Sequence, residues 1–232
     1  MITIIPARGG SKGLPGKNTK LLGGQPLIAH TIAAAKRSKQ ISRIFVSTDS
    51  EEIADVAREH GAEVPYLRPQ NLATDTSMVL DAYLHLIDTI ENQEGLQILE
   101  FTALLPTVPL RTHIDIDAAI KLYREKDADS VISMTNSVPI GWYKNLAEDG
   151  SLVSVIESSS SMANRQDYDQ YLIPTGAIYI LQTQKLRDER TYYFKQTYPY
   201  IMPKYLSVDI DSLDDFLLAE AILASRPCAE VL

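Results

Sequence analysis

Residues 2–18, ITIIPARGGSKGLPGKN, join a short apolar strand directly to a basic loop that is rich in glycine. The glycines remove side chains where a ligand must approach the backbone, and they permit positive φ angles. Arg8, Lys12 and Lys17 add positive charge to the same loop. Backbone amides and cations gathered in this way are typical of anion sites. We therefore expect the loop to bind a nucleoside triphosphate.

Two common phosphate-binding motifs do not fit this loop. The pattern Gly-x-x-x-x-Gly-Lys-Ser/Thr would need glycine in place of Ser11 and a hydroxyl residue in place of Asn18. The pattern Gly-x-Gly-x-x-Gly fails because the glycines are spaced as Gly10, Gly13 and Gly16. The sequence therefore disfavours both a P-loop NTPase and a dehydrogenase that binds a dinucleotide.

Length and charge limit the possible classes of protein. With 232 residues, of which 45% are hydrophobic, the chain can build one large α/β domain. Its formal net charge of -8 argues against a nucleic-acid partner, which would need a basic face. We therefore expect phosphate binding to depend on a small cationic pocket within an acidic protein.

Cysteine use and hydropathy predict the compartment. Cys228 is the only cysteine, so neither a disulfide framework nor a thiolate metal site is expected. No apolar run approaches the roughly 18–20 residues that span a bilayer. The first apolar run meets Pro6 and Arg8 before it could form the core of a signal peptide. We expect a cytoplasmic protein without a membrane partner.

Strand-like and helix-like patterns alternate along the chain. Apolar runs predict strands over 2–5, 43–47, 101–105, 130–134, 152–156, 177–181 and 205–208. Helical spacing predicts helices over 26–39, 49–60, 78–90, 113–123 and 213–224, the second with Asp49 and Glu52 as a capping box. This alternation predicts an α/β fold with a mainly parallel, three-layer sheet. We expect one domain over 1–232, an irregular arm over about 139–174, and a ligand site beyond the carboxyl ends of the strands.

A second candidate motif is SVDIDS, residues 207–212. In a strand, Asp209 and Asp211 would point to the same side, because side chains alternate. Two carboxylates together suit Mg²⁺, which binds one or two carboxylates along with substrate phosphates. Alternatively, Asp211 or Ser212 caps the helix that begins near Leu213, and the two roles are compatible.

These motifs together resemble those of the cytidylyltransferases that activate acidic sugars, above all the CMP-N-acylneuraminate (sialic acid) synthetases. The resemblance is carried by IPARGGSKGLPGKN at 5–18, VSTD at 46–49, RPxxLATDTS at 68–77, PTxPLR at 106–111, GAIY at 176–179 and SVDID at 207–211. The family implies a Rossmann-like nucleotidyltransferase fold. It also implies a Mg²⁺-dependent enzyme that joins CTP to a nonulosonic acid, giving a CMP-sugar and pyrophosphate.

The resemblance also assigns roles to single residues. The nucleotide contacts that it implies are Arg8, Gly10, Ser11, Lys12, Lys17, Asn18, Arg68 and Ser77. Arg8 and Lys17 would stabilise the charge that develops on the phosphate oxygens during transfer. Asp209 and Asp211 would hold the metal. Asp211 is the candidate acceptor of the sugar hydroxyl proton, unless a metal-bound hydroxyl needs no dedicated base.

The sugar side of the site departs from the family pattern. By resemblance, Lys144 and Arg165 align with positions that reach the acceptor sugar from the partner subunit, which implies a homodimer with exchanged arms. Leu105, Val108 and the segment 173–175, however, replace polar residues that sialic acid synthetases usually carry. We therefore expect a modified nonulosonic acid of the legionaminic or pseudaminic type, with additional acylamino and methyl groups.

Two alternative functions stay open. A related enzyme that uses an eight-carbon octulosonate has a similar amino-terminal loop. A CTP-binding sensor with weakened catalysis would explain the apolar Leu105 and Ile173. Such a sensor, however, has no need of Lys17, Asp209 and Asp211.

Overall fold

The computed structural model of the chain describes residues 1–155 and 171–225. Within these ranges the strands are β1 (Ile2–Pro6), β2 (Leu21–Leu22), β3 (Gln25–Pro26), β4 (Arg43–Ser47), β5 (Glu100–Ala103), β6 (Ser130–Asn136), β7 (Lys144–Leu146), β8 (Leu152–Ser154), β9 (Leu172–Gln182) and β10 (Thr197–Ile201). The helices are α1 (Leu27–Arg37), α2 (Glu51–Glu59), α3 (Val79–Glu94), α4 (His113–Glu125), α5 (Thr183–Glu189) and α6 (Leu213–Ser225). None of these described helices combines the length and the hydropathy needed to cross a membrane.

Six of the strands form a central sheet in the order β10-β6-β9-β5-β1-β4. β1 pairs in parallel with β4 and with β5, and β6 pairs in parallel with β10. β9 is antiparallel to both of its neighbours, β5 and β6. The other five strands therefore share one direction, and the prediction of a mainly parallel sheet is confirmed.

Helices cover both faces of this sheet. Ile4 and Ile5 are adjacent in β1 and both fully buried, but Ile4 belongs to the core formed with α3. Ile5 belongs to the core formed with α1, α2 and α4. Phe45 and Val46 in β4 divide in the same way, because side chains alternate along a strand. The three-layer α/β architecture is therefore confirmed.

One edge of the sheet differs from the sequence prediction. The strand predicted over 205–208 is wrong, because this fully described stretch holds a 3-10 turn at Lys204–Leu206 and no strand. The edge strand is instead β10, which pairs only with β6. Pro199 lies within β10 and has no N–H to donate, which an edge position tolerates. The proline thus obscured a strand that the sequence otherwise permits.

The predicted arm is partly regular. β8 falls within the strand predicted over 152–156, but it pairs with β7 in a separate hairpin. Residues 172–174 belong to β9 rather than to an arm, because Leu172 pairs with Asn136 of β6. Residues 156–170, which include the predicted sugar contact Arg165, lie outside the described residues.

Candidate active site

A cavity of about 420 Å³ lies at the edge of the sheet where β1, β4 and β5 end. Four segments line it: the glycine-rich loop after β1, the loop before α3, the loop after β5 and the acidic segment before α6. The lining residues are Pro6, Arg8, Ser11, Lys12, Gly13, Lys17, Asn18, Arg68, Leu72, Thr74, Asp75, Ser77, Val79, Leu105, Pro106, Thr107 and Asp211. Most of the predicted nucleotide contacts therefore meet at the carboxyl edge, where α/β sheets bind ligands.

The side chain of Lys17 joins the glycine-rich loop to the acidic segment near the other end of the chain. Its Nζ donates to the carbonyl oxygen of Ile210 at 2.8 Å and to Asp211 Oδ1 at 2.9 Å. Only 12% of the Lys17 side chain is exposed, whereas 79% of the Asp211 side chain is. The ammonium is therefore fixed by protein atoms, and the carboxylate that it holds faces solvent and the cavity.

Gly13 permits a close approach between the same two segments. A Cβ atom at this position would lie 2.2 Å from the backbone carbonyl oxygen of Asp211. No side chain fits in that space, so glycine is required by the packing of the two backbones. The predicted meeting of the basic loop and the acidic pair is therefore present in the fold.

The acidic segment is held in place through Ile210, which is fully buried. Ile210 packs with Leu22, Leu110 and Phe216, and its N–H donates to the carbonyl oxygen of Thr107 at 2.8 Å. The alternation of a strand, on which the sequence prediction rested, is absent here. The buried side chain between two acidic residues performs the same task, since it anchors the segment and leaves Asp211 on the cavity.

Asp209 lies against β9 rather than on the cavity wall. Its Oδ2 would be 3.7 Å from a Cβ placed on Gly176, a glycine with φ of +76°. Desolvation raises the pKa of Asp209, the Thr107 side chain opposes this shift, and the charge of Asp211 adds to it. A cation near these two carboxylates would relieve their mutual repulsion.

The helix cap next to this pair uses other residues. Ser212 Oγ accepts from the N–H of Asp215 at 3.3 Å, and Asp215 Oδ2 accepts from the N–H of Ser212 at 2.8 Å. This reciprocal pair satisfies the first turn of α6. Of the two predicted caps, Ser212 is therefore the one used, and the Asp211 side chain remains available for the site.

The donor set suits a hard cation that also binds phosphate. The described residues hold no group of three or more histidine, cysteine, aspartate or glutamate side chains that could bind a metal on its own. Mg²⁺ commonly takes only one or two carboxylates and completes its shell with water and substrate phosphate. Asp209 and Asp211 fit that requirement, and their chemistry is compatible with the predicted ion.

Three charged residues form a cluster on the opposite wall. Arg8 donates from Nη1 to Asp75 Oδ1 at 3.0 Å, and Lys12 Nζ lies 2.6 Å from Asp75 Oδ2. The bond from Lys12, with a smaller contribution from Arg8, holds the pKa of Asp75 below its usual range. Asp75 lies within the RPxxLATDTS motif but was not among the predicted site residues.

Asn18 presents an unsatisfied acceptor. The residue is buried, and its Nδ2 donates to the carbonyl oxygen of Arg8 at 3.0 Å. Its Oδ1 is buried without a hydrogen-bond partner in the described part of the chain. A buried polar atom left in this state is costly, and a hydroxyl or amino donor would satisfy it.

Arg68 and Asp49 tie the neighbouring loops to the end of β4. Arg68 is buried and donates from Nε to Ser47 Oγ at 3.0 Å and from Nη2 to the Ser47 carbonyl oxygen. Burial lowers the pKa of Arg68.

Asp49 Oδ1 accepts from the N–H of Gly9 at 2.9 Å. The predicted capping box of α2 is therefore wrong, because Ser50 caps that helix and Asp49 secures the glycine-rich loop.

Ser77 shapes the loop before α3. Its Oγ donates to the carbonyl oxygen of Asn71 at 2.9 Å and accepts from the N–H of Thr74 at 3.1 Å. These contacts close a compact turn that lines the cavity. The predicted assignment of Ser77 to the nucleotide site therefore agrees with its location, while its hydroxyl already has a structural task.

Arg111 is buried next to the site and connects several segments of the chain through its guanidinium. Its buried guanidinium donates to the carbonyl oxygens of Ala177 and Leu105 and to Thr31 Oγ1. Burial lowers the pKa of Arg111 to about 9. These hydrogen-bond partners are uncharged, and the bonds connect α1, the loop after β5 and β9.

The predicted sugar residues divide into accessible and buried positions. Leu105 lines the cavity, and Ile173 is 45% exposed. Val108 and Thr175 are buried, so they cannot be direct contacts in this conformation. Lys144 lies on β7 and donates to Ser154 Oγ at 2.8 Å, away from the residues that line the cavity.

Comparison with known proteins places this geometry among enzymes of one class. A family described as cytidylyltransferase matches residues 2–207. A CMP-N,N'-diacetyllegionaminic acid synthase of Legionella pneumophila is 36% identical over 228 residues, which cover 96% of each chain. A pseudaminic acid cytidylyltransferase of Campylobacter jejuni is 30% identical and covers 95% of each.

Two further matches are limited, one by its coverage of the relative and the other by its sequence identity. An N-acylneuraminate cytidylyltransferase of Streptococcus agalactiae is 36% identical over 219 residues, and the match covers 93% of this chain but 51% of that protein. A solved CMP:2-keto-3-deoxy-manno-octonic acid synthetase complexed with CTP superposes with a TM-score of 0.67, 16% identity, and 96% and 98% coverage. At that identity the structural match supports the fold alone.

The contact at Gly13 yields a testable prediction. Gly13→Ala should lower the free energy of unfolding by about 1–3 kcal/mol, because the new methyl group forces the loop away from the Asp211 carbonyl. Gly10→Ala is the matched control, since a Cβ there meets nothing within 4 Å, and it should change stability by less than about 0.5 kcal/mol. Urea unfolding measures both values, and equal stabilities would contradict the close packing.

Proposed function

Since this chain belongs to the cytidylyltransferase family, we propose that it transfers the CMP group of CTP to a nonulosonic acid, with Mg²⁺ as cofactor. The products would be a CMP-sugar and pyrophosphate. Full-length relatives named for legionaminic and pseudaminic acids support this choice of acceptor class.

One observation carries the proposal: the contact of Lys17 with Asp211 across the cavity. It brings Lys17, whose charge suits a triphosphate, next to Asp211, one of the two carboxylates that suit a magnesium ion. If the ammonium and the carboxylate were more than a few ångströms apart, they could not act together on one phosphate group. The described cavity is also large enough for a ligand of drug or nucleotide size, at about 420 Å³.

The nucleoside would bind beside Asn18. The unpartnered Oδ1 of Asn18 can accept from a ribose hydroxyl or from the amino group of cytosine. Arg68 and the turn that Ser77 closes lie around the same cavity. The amino group distinguishes cytosine from uracil, and an acceptor reserved for it would reject UTP.

The chemical step needs charge stabilisation more than covalent help from the protein. The anomeric hydroxyl of the sugar would attack the α-phosphorus, a new O–P bond would form, and the bond to pyrophosphate would break. Arg8, Lys12 and Lys17 line the cavity and would bind the oxygens that gain charge. Ser11 and the backbone at Gly10 would add hydrogen bonds from the glycine-rich loop.

Asp209 and Asp211 would hold Mg²⁺, which when bound neutralises part of the charge on the triphosphate and on the leaving group. The hydroxyl proton needs an acceptor as the O–P bond forms. Asp211 is our candidate, because its exposed carboxylate faces the cavity and Lys17 keeps it close to the reacting groups.

The acceptor would be a modified nonulosonic acid. Leu105 on the cavity wall and the 45% exposed Ile173 on β9 offer apolar surface, which suits a methyl or acylamino substituent better than a hydroxyl. Lys144 and Arg165 would bind the acceptor carboxylate from the partner subunit of a homodimer. The β7–β8 hairpin supports such a dimer, since Leu146 and Leu152 are 76% and 72% exposed.

We propose that the enzyme is cytoplasmic, which agrees with its single cysteine. Its acidic overall charge is compatible with a small-molecule enzyme and disfavours a nucleic-acid partner.

A panel of substrates tests the function. Pyrophosphate release is measured with CTP, UTP, ATP or GTP, each combined with N,N'-diacetyllegionaminate, pseudaminate, N-acetylneuraminate or an octulosonate. We expect release only with CTP and fastest with one of the two diamino sugars. Faster release with N-acetylneuraminate than with both diamino sugars would overturn the acceptor class, and release with octulosonate alone would identify the alternative enzyme. CTP binding without release from any sugar would identify the sensor.

Lys17→Met should lower kcat by about 10²–10³-fold, because the variant loses a preorganised positive charge at the phosphates. Lys20→Met is the matched control. Lys20 follows in the same loop but lies over the ring of Phe216, 5.4 Å from its centroid, and should leave kcat within about twofold of wild type. Steady-state pyrophosphate release measures both. Unchanged kinetics in Lys17→Met would remove this side chain from the reaction.

Asp209→Asn should raise the Mg²⁺ concentration for half-maximal rate by about tenfold or more, because an amide is a weaker ligand than a carboxylate. Asp214→Asn removes the same charge from the exposed first turn of α6 and should leave the magnesium requirement unchanged. Magnesium titrations at saturating CTP compare the two. Equal requirements would exclude Asp209 as a ligand.

A further inference from the structure

The carboxylate of Asp75 bridges two cations of the glycine-rich loop. Its Oδ1 accepts from Arg8 Nη1 at 3.0 Å, and its Oδ2 lies 2.6 Å from Lys12 Nζ. The two oxygens therefore bind two different cations, as two oxygens of one phosphate group would. All three side chains line the same cavity.

The position of Asp75 is set by its loop. Arg8 Nη1 also donates to the carbonyl oxygen of Thr74 at 3.1 Å, and the hydroxyls of Thr74 and Ser77 are 2.7 Å apart. The loop before α3 is thus bound to the glycine-rich loop through a backbone contact and through one carboxylate. If the carboxylate is displaced, the backbone contact and the internal turn can keep the loop in place.

The ion pairs themselves are exposed enough to exchange. The Asp75 side chain is 46% exposed and that of Lys12 is 79% exposed. Ion pairs of this kind contribute little to stability, because water solvates both partners and the side chains keep their freedom. A triphosphate carries several negative charges and competes well for the same cations.

We propose that Asp75 is an exchangeable counterion, which holds Arg8 and Lys12 in position and releases them to the triphosphate of CTP. The inference rests on the proposed function, because it takes CTP as the ligand. The carboxylate then has two opposing effects on the site. It orders the two cations before binding, and it competes with the phosphate oxygens for them.

We expect the competition to dominate in the binding constant, because Arg8 keeps its bond to the Thr74 carbonyl oxygen when the carboxylate is lost. Asp75→Asn keeps the shape of the side chain and removes the negative charge. This variant should bind CTP about three- to tenfold more tightly than wild type, which is the range expected for the loss of exposed competing ion pairs. Asp55→Asn is the control, because it removes one exposed charge on α2 and should change the affinity by less than twofold.

Isothermal titration of CTP with Mg²⁺ into wild type, Asp75→Asn and Asp55→Asn tests the inference. Circular dichroism checks that each variant is folded, and Asp75→Ser replaces Asp75→Asn if the latter is not. In a Lys12→Met background, the gain from Asp75→Asn should shrink, because one of the two exchanged cations is missing.

The outcomes distinguish a failure of the proposed function from a failure of the exchange at Asp75. Wild type that does not bind CTP would overturn the proposed function. Wild type that binds CTP while Asp75→Asn binds it equally or more weakly would overturn the exchange alone, and would assign Asp75 a bracing role instead. If Asp55→Asn shows the same gain in affinity, the gain comes from the change in net charge, and the exchange at Asp75 is likewise overturned.

Discussion

The ammonium of Lys17 binds the carbonyl oxygen of Ile210 and the carboxylate of Asp211, and the rest of the site depends on this contact. It connects a loop near one end of the chain to a segment near the other. Gly13 lets the two backbones approach, and the buried side chain of Ile210 keeps the acidic segment from moving away. The contact therefore brings a cation and a carboxylate together at one cavity.

The cavity is lined by more cations than carboxylates, although the whole chain carries a net charge of -8. Arg8 and Lys12 both form ion pairs with Asp75, and Lys17 forms an ion pair with Asp211. Such pairing keeps like charges from repelling one another before a ligand arrives. It also gives a polyanion a preformed set of donors, which reduces the cost of ordering them on binding. An acidic protein can therefore bind an acidic substrate at one small site.

Local sequence patterns predicted the strands and helices around the site, because the alternation of residues such as Ile4 and Ile5 is set by short-range geometry. The glycine-rich loop was also recognisable, since its glycines and cations lie close together in sequence. Contacts between residues far apart in the sequence could not be predicted from these local patterns. The segment around Asp209 is not a strand, yet the burial of Ile210 produced the expected meeting by another route. Asp75 was missed because its partners lie more than sixty residues away.

We propose that the glycine-rich loop and the acidic segment bind one metal–nucleotide complex between them. A crystal structure with CTP and Mn²⁺, analysed by anomalous scattering, would locate both ligands. We expect a Mn²⁺ peak about 2–2.5 Å from carboxylate oxygens of Asp209 and Asp211, with the triphosphate in contact with Lys17. A Mn²⁺ ion bound to other residues, or CTP bound outside this cavity, would contradict it.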